Sequence, residues 1–156
     1  MMTGEMKMED MLPLILESLE NNGEFVFYPK GISMLPTIVQ LKDRVKLVKP
    51  DCIKKYSIVL YRRENGKFVL HRVVKKPENG VYTMCGDNQC FSEYGIKSSQ
   101  VIAVVSEILK ENDKVVSCLG SFNYFYGICI RAYRFPKKVY HVLKRGIKKV
   151  LKLNNR

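Results

Sequence analysis

The strongest constraint on this chain is the spacing of its apolar segments between residues 24 and 109. Segments 24–28, 44–48, 58–62, 68–74, 81–85 and 101–109 are short and rich in Val, Ile, Tyr and Phe. Branching at Cβ and bulky rings suit a pleated, half-buried surface better than a helix. Turn signals stand between them: Lys49-Pro50-Asp51, Glu64-Asn65-Gly66, Pro77-Glu78-Asn79-Gly80 and Gly86-Asp87-Asn88. Gly supplies positive φ, Pro presets φ, and Asn and Asp bond their own backbone, so each string favours a reversal. Asn65-Gly66 predicts a hairpin joining 58–62 to 68–74. Many short strands with close turns and no intervening helices predict a compact antiparallel or barrel-like β domain.

The two ends read differently. Met8, Met11, Leu12, Ile15 and Leu19 recur at spacings of three and four, and Asn21-Asn22-Gly23 ends the pattern, which predicts a short amphipathic helix over 5–21. Its apolar run 11–16 is too short for the core of a secretory signal, and Glu9 and Asp10 stand where that signal needs positive charge, so no cleavable signal peptide is expected. At the other end, Arg131, Arg134, Lys137, Lys138, Lys144, Arg145, Lys148, Lys149, Lys152 and Arg156 face no Asp or Glu from Val115 onward. They supply most of the formal charge of +12, leaving residues 1–114 nearly neutral. The uncharged stretch 115–130 contains Ser117, Gly120, Ser121, Asn123 and Gly127 and falls short of the roughly 20 apolar residues that span a bilayer. Beyond Pro136, apolar residues recur among lysines in a helical rhythm; a basic amphipathic helix fits an anionic membrane surface. The expected organisation is a domain at 1–114 with an apolar, then basic, helical tail at 115–156. The expected location is peripheral at a membrane through that tail, or cytoplasmic.

At 156 residues the chain has material for one core of ordinary size. Five cysteines without a CxxC pair argue against a disulfide framework and a structural zinc site. No cofactor or metal is expected.

Three clusters carry chemistry-bearing residues. In Gly31-Ile32-Ser33-Met34-Leu35-Pro36-Thr37 a serine comes after a strand, on a turn, with Gly31 allowing close approach and Pro36 stiffening the backbone beyond it. In Phe68-Val69-Leu70-His71-Arg72-Val73-Val74 a single histidine lies in an apolar strand; the chain's other histidine, His141, lies in the basic tail. In Met84-Cys85-Gly86-Asp87-Asn88 a carboxylate comes directly after a strand. Each alone has an ordinary structural reading. Together they fit one chemistry: a serine hydroxyl is a weak nucleophile until a neighbouring base takes its proton, and a neutral imidazole suits that task. A third group accepting from the far ring nitrogen fixes the tautomer. Asp87 is the first candidate for it and Glu93 the second.

These clusters resemble the sequence boxes of type I signal peptidases. Residues 31–37 resemble the nucleophile box; residues 58–62, residues 70–74 and Gly86-Asp87-Asn88 resemble later boxes in the same order, the likeness spanning roughly 25–109. The fold it implies is a β-rich catalytic domain on a coiled antiparallel sheet, in a grouping that includes self-cleaving repressor-type proteases. His71 stands where housekeeping bacterial enzymes carry Lys, which resembles the Ser/His type of the endoplasmic reticulum, archaea and spore-formers. The resemblance implies a serine endopeptidase acting on a peptide or preprotein: Ser33 attacks, His71 is the base, and Asp87 or Glu93 orients it. Gly31, Ser33, Met34 and Pro36 would form the substrate and oxyanion wall. The sequence departs from the family in three places: it shows no N-terminal membrane span, Gly31 replaces a second hydroxyl so that backbone N–H groups must form the oxyanion hole, and Lys54-Lys55-Tyr56-Ser57 replaces a Gly-Asp turn.

Two rival readings belong to other classes. One is a weak or inactive relative that binds peptides or an anionic membrane. The other is nucleic-acid binding through the tail; its aromatics (Phe122, Tyr124, Phe125, Tyr126) precede the lysines instead of alternating with them, which ranks it last.

Overall fold

The structure is a computed structural model, and it describes residues 8–51, 53–75, 78–134, 136 and 144. Residues 5–7 of the expected helix, Cys52, Pro77, His141 and most of the expected basic helix beyond 136 lie outside the described residues. Helix α1 (Met8–Asn21) ends where Asn22 N–H donates to the Ser18 carbonyl at 2.8 Å and Gly23 takes φ +76°, a left-handed conformation that costs glycine little. Ile15 and Leu19, one turn apart, are the residues α1 buries in the core.

Eight strands come next: β1 (Glu24–Phe27), β2 (Arg44–Val48), β3 (Ile58–Arg62), β4 (Phe68–Val73), β5 (Val81–Cys85), β6 (Glu93–Lys97), β7 (Val101–Leu109) and β8 (Val115–Ser117). They form one sheet in the order β1-β2-β7-β3-β4-β5-β6, with β8 also on β7. Every pairing is antiparallel. The expected mainly β fold with a helix at each end is therefore the one that forms; the sheet stays open, because β1 and β6 end the path instead of pairing.

Strand alternation explains how so much apolar sequence is absorbed. Along β3, Ile58 and Leu60 join a core with Ile15, Leu19, Val45, Leu47 and Val105. Val59 and Tyr61 join a second core with Val73, Tyr82, Met84 and Val104. Successive side chains point to opposite faces, so the sheet is covered on both sides and β3 is buried from Ile58 to Tyr61.

The C-terminal part is built into this sheet. Val115–Ser117 pair with Leu109–Glu107, Cys118 enters the first core, and residues 121–134 form a helix, α2. Asn123 and Ile130 are its buried side chains. At Gly127 a Cβ would stand 2.6 Å from Cγ of Tyr56, so the Tyr56 ring rests directly on the helix backbone. The expected boundary between 114 and 115 thus falls between two strands that pair. No helix among the described residues is long and apolar enough to cross a membrane. The described cysteines (Cys85, Cys90, Cys118 and Cys129) are free thiols.

Candidate active site

The β3–β4 hairpin sets the site's geometry. Its register pairs Val59 with His71 and Tyr61 with Val69, so Tyr61 is the diagonal neighbour of His71 on one face, within reach of a long side chain. The β5–β6 hairpin then returns Glu93 opposite Met84, beside the same face. His71 is 1% exposed and Tyr61 0%.

Four side chains form a connected network there. The Tyr61 hydroxyl lies 3.1 Å from His71 Nδ1 and donates to Glu93 Oε2 at 3.0 Å. Glu93 Oε1 stands 3.3 Å from His71 Nδ1. Arg63 Nε donates to Glu93 Oε2 at 2.8 Å, and its Nη2 donates to Oε1. Burial alone would raise the Glu93 pKa, but hydrogen bonds from Arg63 and Tyr61 and the nearby positive charge hold it below the usual carboxylate range. The ionised carboxylate accepts only, and the single Tyr61 proton goes to it, the charge-assisted partner. Nδ1 therefore faces two oxygens that can only accept from it, which assigns the imidazole proton to Nδ1 and leaves the Nε2 lone pair free. Burial drives the His71 pKa down to about 4 against the pull of Glu93, so the ring is neutral at pH 7. Burial and the Glu93 charge also push the Tyr61 phenol up, so it stays protonated.

The free Nε2 turns toward the serine turn. A Cβ at Gly86 would stand 3.1 Å from His71 Nε2 and 2.5 Å from the Ser33 carbonyl oxygen, so only glycine fits between them. Asn88 N–H donates to that same carbonyl at 2.7 Å, and Asn88 Nδ2 donates to the Ile32 carbonyl at 3.0 Å. The Gly86–Asn88 turn thereby clamps the serine turn beside the histidine strand. Ser33 and His71 line one cleft of about 240 Å³ with Gly31, Met34, Phe68 and Leu70. Among the described residues no hydrogen bond joins Ser33 to His71; such contacts are often long in unliganded sites.

Of the two candidate acids, Glu93 faces the imidazole and Asp87 does not. Asp87 accepts from Arg72 Nε and Nη2, each at 2.8 Å, and from the Thr37 hydroxyl. Arg72 Nη1 donates to the Tyr56 carbonyl at 2.9 Å and to Asn123 Oδ1 at 2.7 Å. Arg72 is 0% exposed and Asp87 2%, so this is a buried ion pair tying β4, the turn after β5 and α2 together. Of the expected wall residues, Gly31, Ser33 and Met34 line the cleft, whereas Pro36 lines a separate pocket beside α2. The Gly31 N–H is engaged, donating to Gln40 Oε1 at 2.8 Å. Among the described residues no group of three His, Cys, Asp or Glu is arranged to hold a metal.

The open side of the cleft is a strand edge. β5 pairs only Arg72 and Val73 of β4, so among the described residues Phe68–His71 has no strand partner on the side away from β3. Compared with protein-family models, curated proteins and solved structures, the chain matches none.

Proposed function

We propose that this chain is a small serine endopeptidase of signal-peptidase type, with Ser33 as nucleophile and His71 as general base. The observation that carries the reading is the orientation of His71: Nδ1–H is held by Glu93 and Tyr61, and the neutral Nε2 opens toward the Ser33 turn. In this mechanism Nε2 takes the Ser33 hydroxyl proton as Oγ attacks the scissile carbonyl, and the Ser33 N–H bonds the developing oxyanion. Glu93 steadies the imidazolium, which then protonates the leaving amine. Water repeats the sequence on the acyl-enzyme and frees Ser33. The substrate is an extended peptide added to the open Phe68–His71 edge, where backbone bonds give affinity and flanking pockets give selectivity. The family resemblance adds small residues beside the scissile bond. Preprotein processing is the corresponding biological task.

Labelling with a serine-directed fluorophosphonate, alongside cleavage of a peptide library, tests the assignment. Wild type is expected to label at Ser33, Ser33→Ala not at all, and His71→Ala at a rate about a hundred-fold or more lower. Full peptidase activity in either variant sinks the proposal.

A membrane-facing reading is favoured by α2. Its outward residues Phe122, Phe125 and Tyr133 are each about two-thirds exposed (67%, 66% and 65%), and the preceding Leu119 is 57% exposed. The sequence beyond them adds lysines and arginines without an acid. Exposed aromatics beside a basic stretch fit an anionic bilayer surface, and we place the protein there as a peripheral component. Co-sedimentation with phosphatidylserine vesicles but not phosphatidylcholine vesicles, lost in Phe122→Ser/Phe125→Ser, is the expected result; equal binding to both vesicle types overturns it.

A further inference from the structure

We propose that Tyr61 and Arg63 are positioning residues of this site, fixing Glu93 so that His71 keeps its proton on Nδ1 and presents a bare Nε2 to the cleft. The proposal rests on the Ser33/His71 reading and adds two residues to it.

Arg63 grips Glu93 through two nitrogens, with Nε at 2.8 Å from Oε2. That fork fixes the plane of the carboxylate as well as its charge, which a single-point cation does not do. Tyr61 fills the remaining gap. Its hydroxyl donates to Glu93 at 3.0 Å and receives the Nδ1 proton at 3.1 Å, so one oxygen serves both partners and excludes the opposite tautomer. With Nδ1 3.3 Å from Glu93 Oε1, the carboxylate alone makes a loose contact; the phenol converts it into a bridged one.

Charged groups act on His71 from three sides, and Lys30 of the serine turn lines the same cleft. β3 and the turn after it bring Tyr61 and Arg63, β6 brings Glu93, and the turn after β5 brings Asp87. Asp87 is already neutralised by Arg72, its neighbour on β4. Burial is the main reason that the base is unprotonated; Glu93 draws a proton toward the imidazole and Arg63 repels it, so Arg63 adds to the effect of burial while supplying the anchor of its orienting acid. Loss of Arg63 therefore has two separable effects, a more easily protonated His71 and a loosened Glu93.

The test is histidine-selective ¹⁵N NMR on the full chain, with His71 signals identified by their loss in His71→Gln. In wild type the expectation is one tautomer protonated at Nδ1. Arg63→Gln should increase the proton affinity of His71 about ten-fold, one unit of titration midpoint, and Arg63→Lys, which keeps the charge, should show little of that shift. Tyr61→Phe, which keeps the buried ring, should expose a measurable Nε2–H population. It should also lower kcat about ten-fold, the worth of one hydrogen bond, with KM little changed. Unaltered tautomer and midpoint in folded Arg63→Gln and Tyr61→Phe overturn the proposal, as does an Nε2–H tautomer in wild type. The NMR readout uses no substrate: failure of Ser33 to label refutes the peptidase reading alone, and an unresponsive His71 refutes the positioning roles alone.

Discussion

Replacing Asp87 by Asn removes a negative charge from a place where water cannot substitute for it. Arg72 is wholly buried against it, with two guanidinium nitrogens on the carboxylate at 2.8 Å each. Removing one partner of a buried ion pair costs about 3–5 kcal/mol. Asn keeps the volume and one acceptor, which points to the lower end, about 3 kcal/mol. In a chain of this length 1 kcal/mol moves the melting midpoint by about 2–4 °C, so Asp87→Asn should melt about 6–12 °C below wild type. Glu93→Gln provides the contrast. Its side chain is 26% exposed and that of its partner Arg63 is 32% exposed, so the lost pair is worth about 1 kcal/mol or less and the midpoint should move by no more than about 4 °C. Function should show the opposite order. Glu93→Gln removes the charge that favours imidazolium, so His71 should become harder to protonate and Ser33 labelling should slow in a protein that still folds. Calorimetry paired with labelling rates measures both. A Glu93→Gln variant that melts about 6 °C or more below wild type, beside an Asp87→Asn variant that melts like wild type, refutes this division of roles.

Three further outcomes are expected. With the His71 pKa at about 4 when folded and near 6.5 when unfolded, the unfolded chain holds the extra proton between those values. This contribution to stability is therefore intact above pH 6.5 and falls as pH drops toward 4, by about 3 kcal/mol in full. The depressed Glu93 pKa acts in the same direction; acid denaturation of wild type against His71→Gln measures the His71 share, and the acid limb of kcat/KM should fall near pH 4. Gly86→Ala places a methyl 2.5 Å from the Ser33 carbonyl and should abolish Ser33 labelling while circular dichroism keeps its β signature. Gly127→Ala drives a methyl into the Tyr56 ring, 2.6 Å from Cγ, and should destabilise by about 1–3 kcal/mol, read as a lower melting temperature.

Most of the sheet was legible because β1 to β5 and β7 are runs of β-branched and aromatic residues bounded by turn strings. The segments that escaped owe their structure to partners. β6 reads Glu-Tyr-Gly-Ile-Lys and contains Gly95 at φ +79°, and β8 has only three residues; β5 and β7 respectively supply their ladders. Helix α2 falls within the expected helical tail; it is uncharged to residue 130 and interrupted by Gly127, with weak local propensity, and it is held by the buried Asn123, which bonds Arg72 and the Tyr56 and Cys118 carbonyls. At the site, Ser33 and His71 stood out by residue type. Tyr61 resembled one more core aromatic and Arg63 a solvated hairpin residue, and only the β3–β4 register and the return of β6 bring them to His71.

The same alternation explains why two acids six residues apart serve different partners. His71 and Arg72 are consecutive in β4, so their side chains leave opposite faces of the sheet. The chain after β5 passes the end of this strand and delivers one acid to each side. Asp87, in the turn, meets Arg72 together with Thr37, while Asn123 of α2 reaches the same guanidinium. Glu93, at the start of β6, meets His71 together with Tyr61 and Arg63. A shift of β4 by one residue would exchange the faces and bring Arg72 toward the serine turn in place of His71. The Arg72–Asp87 pair therefore holds the register on which the direction of Nε2 toward the serine turn depends, and the same pair binds α2 to the strand that carries His71.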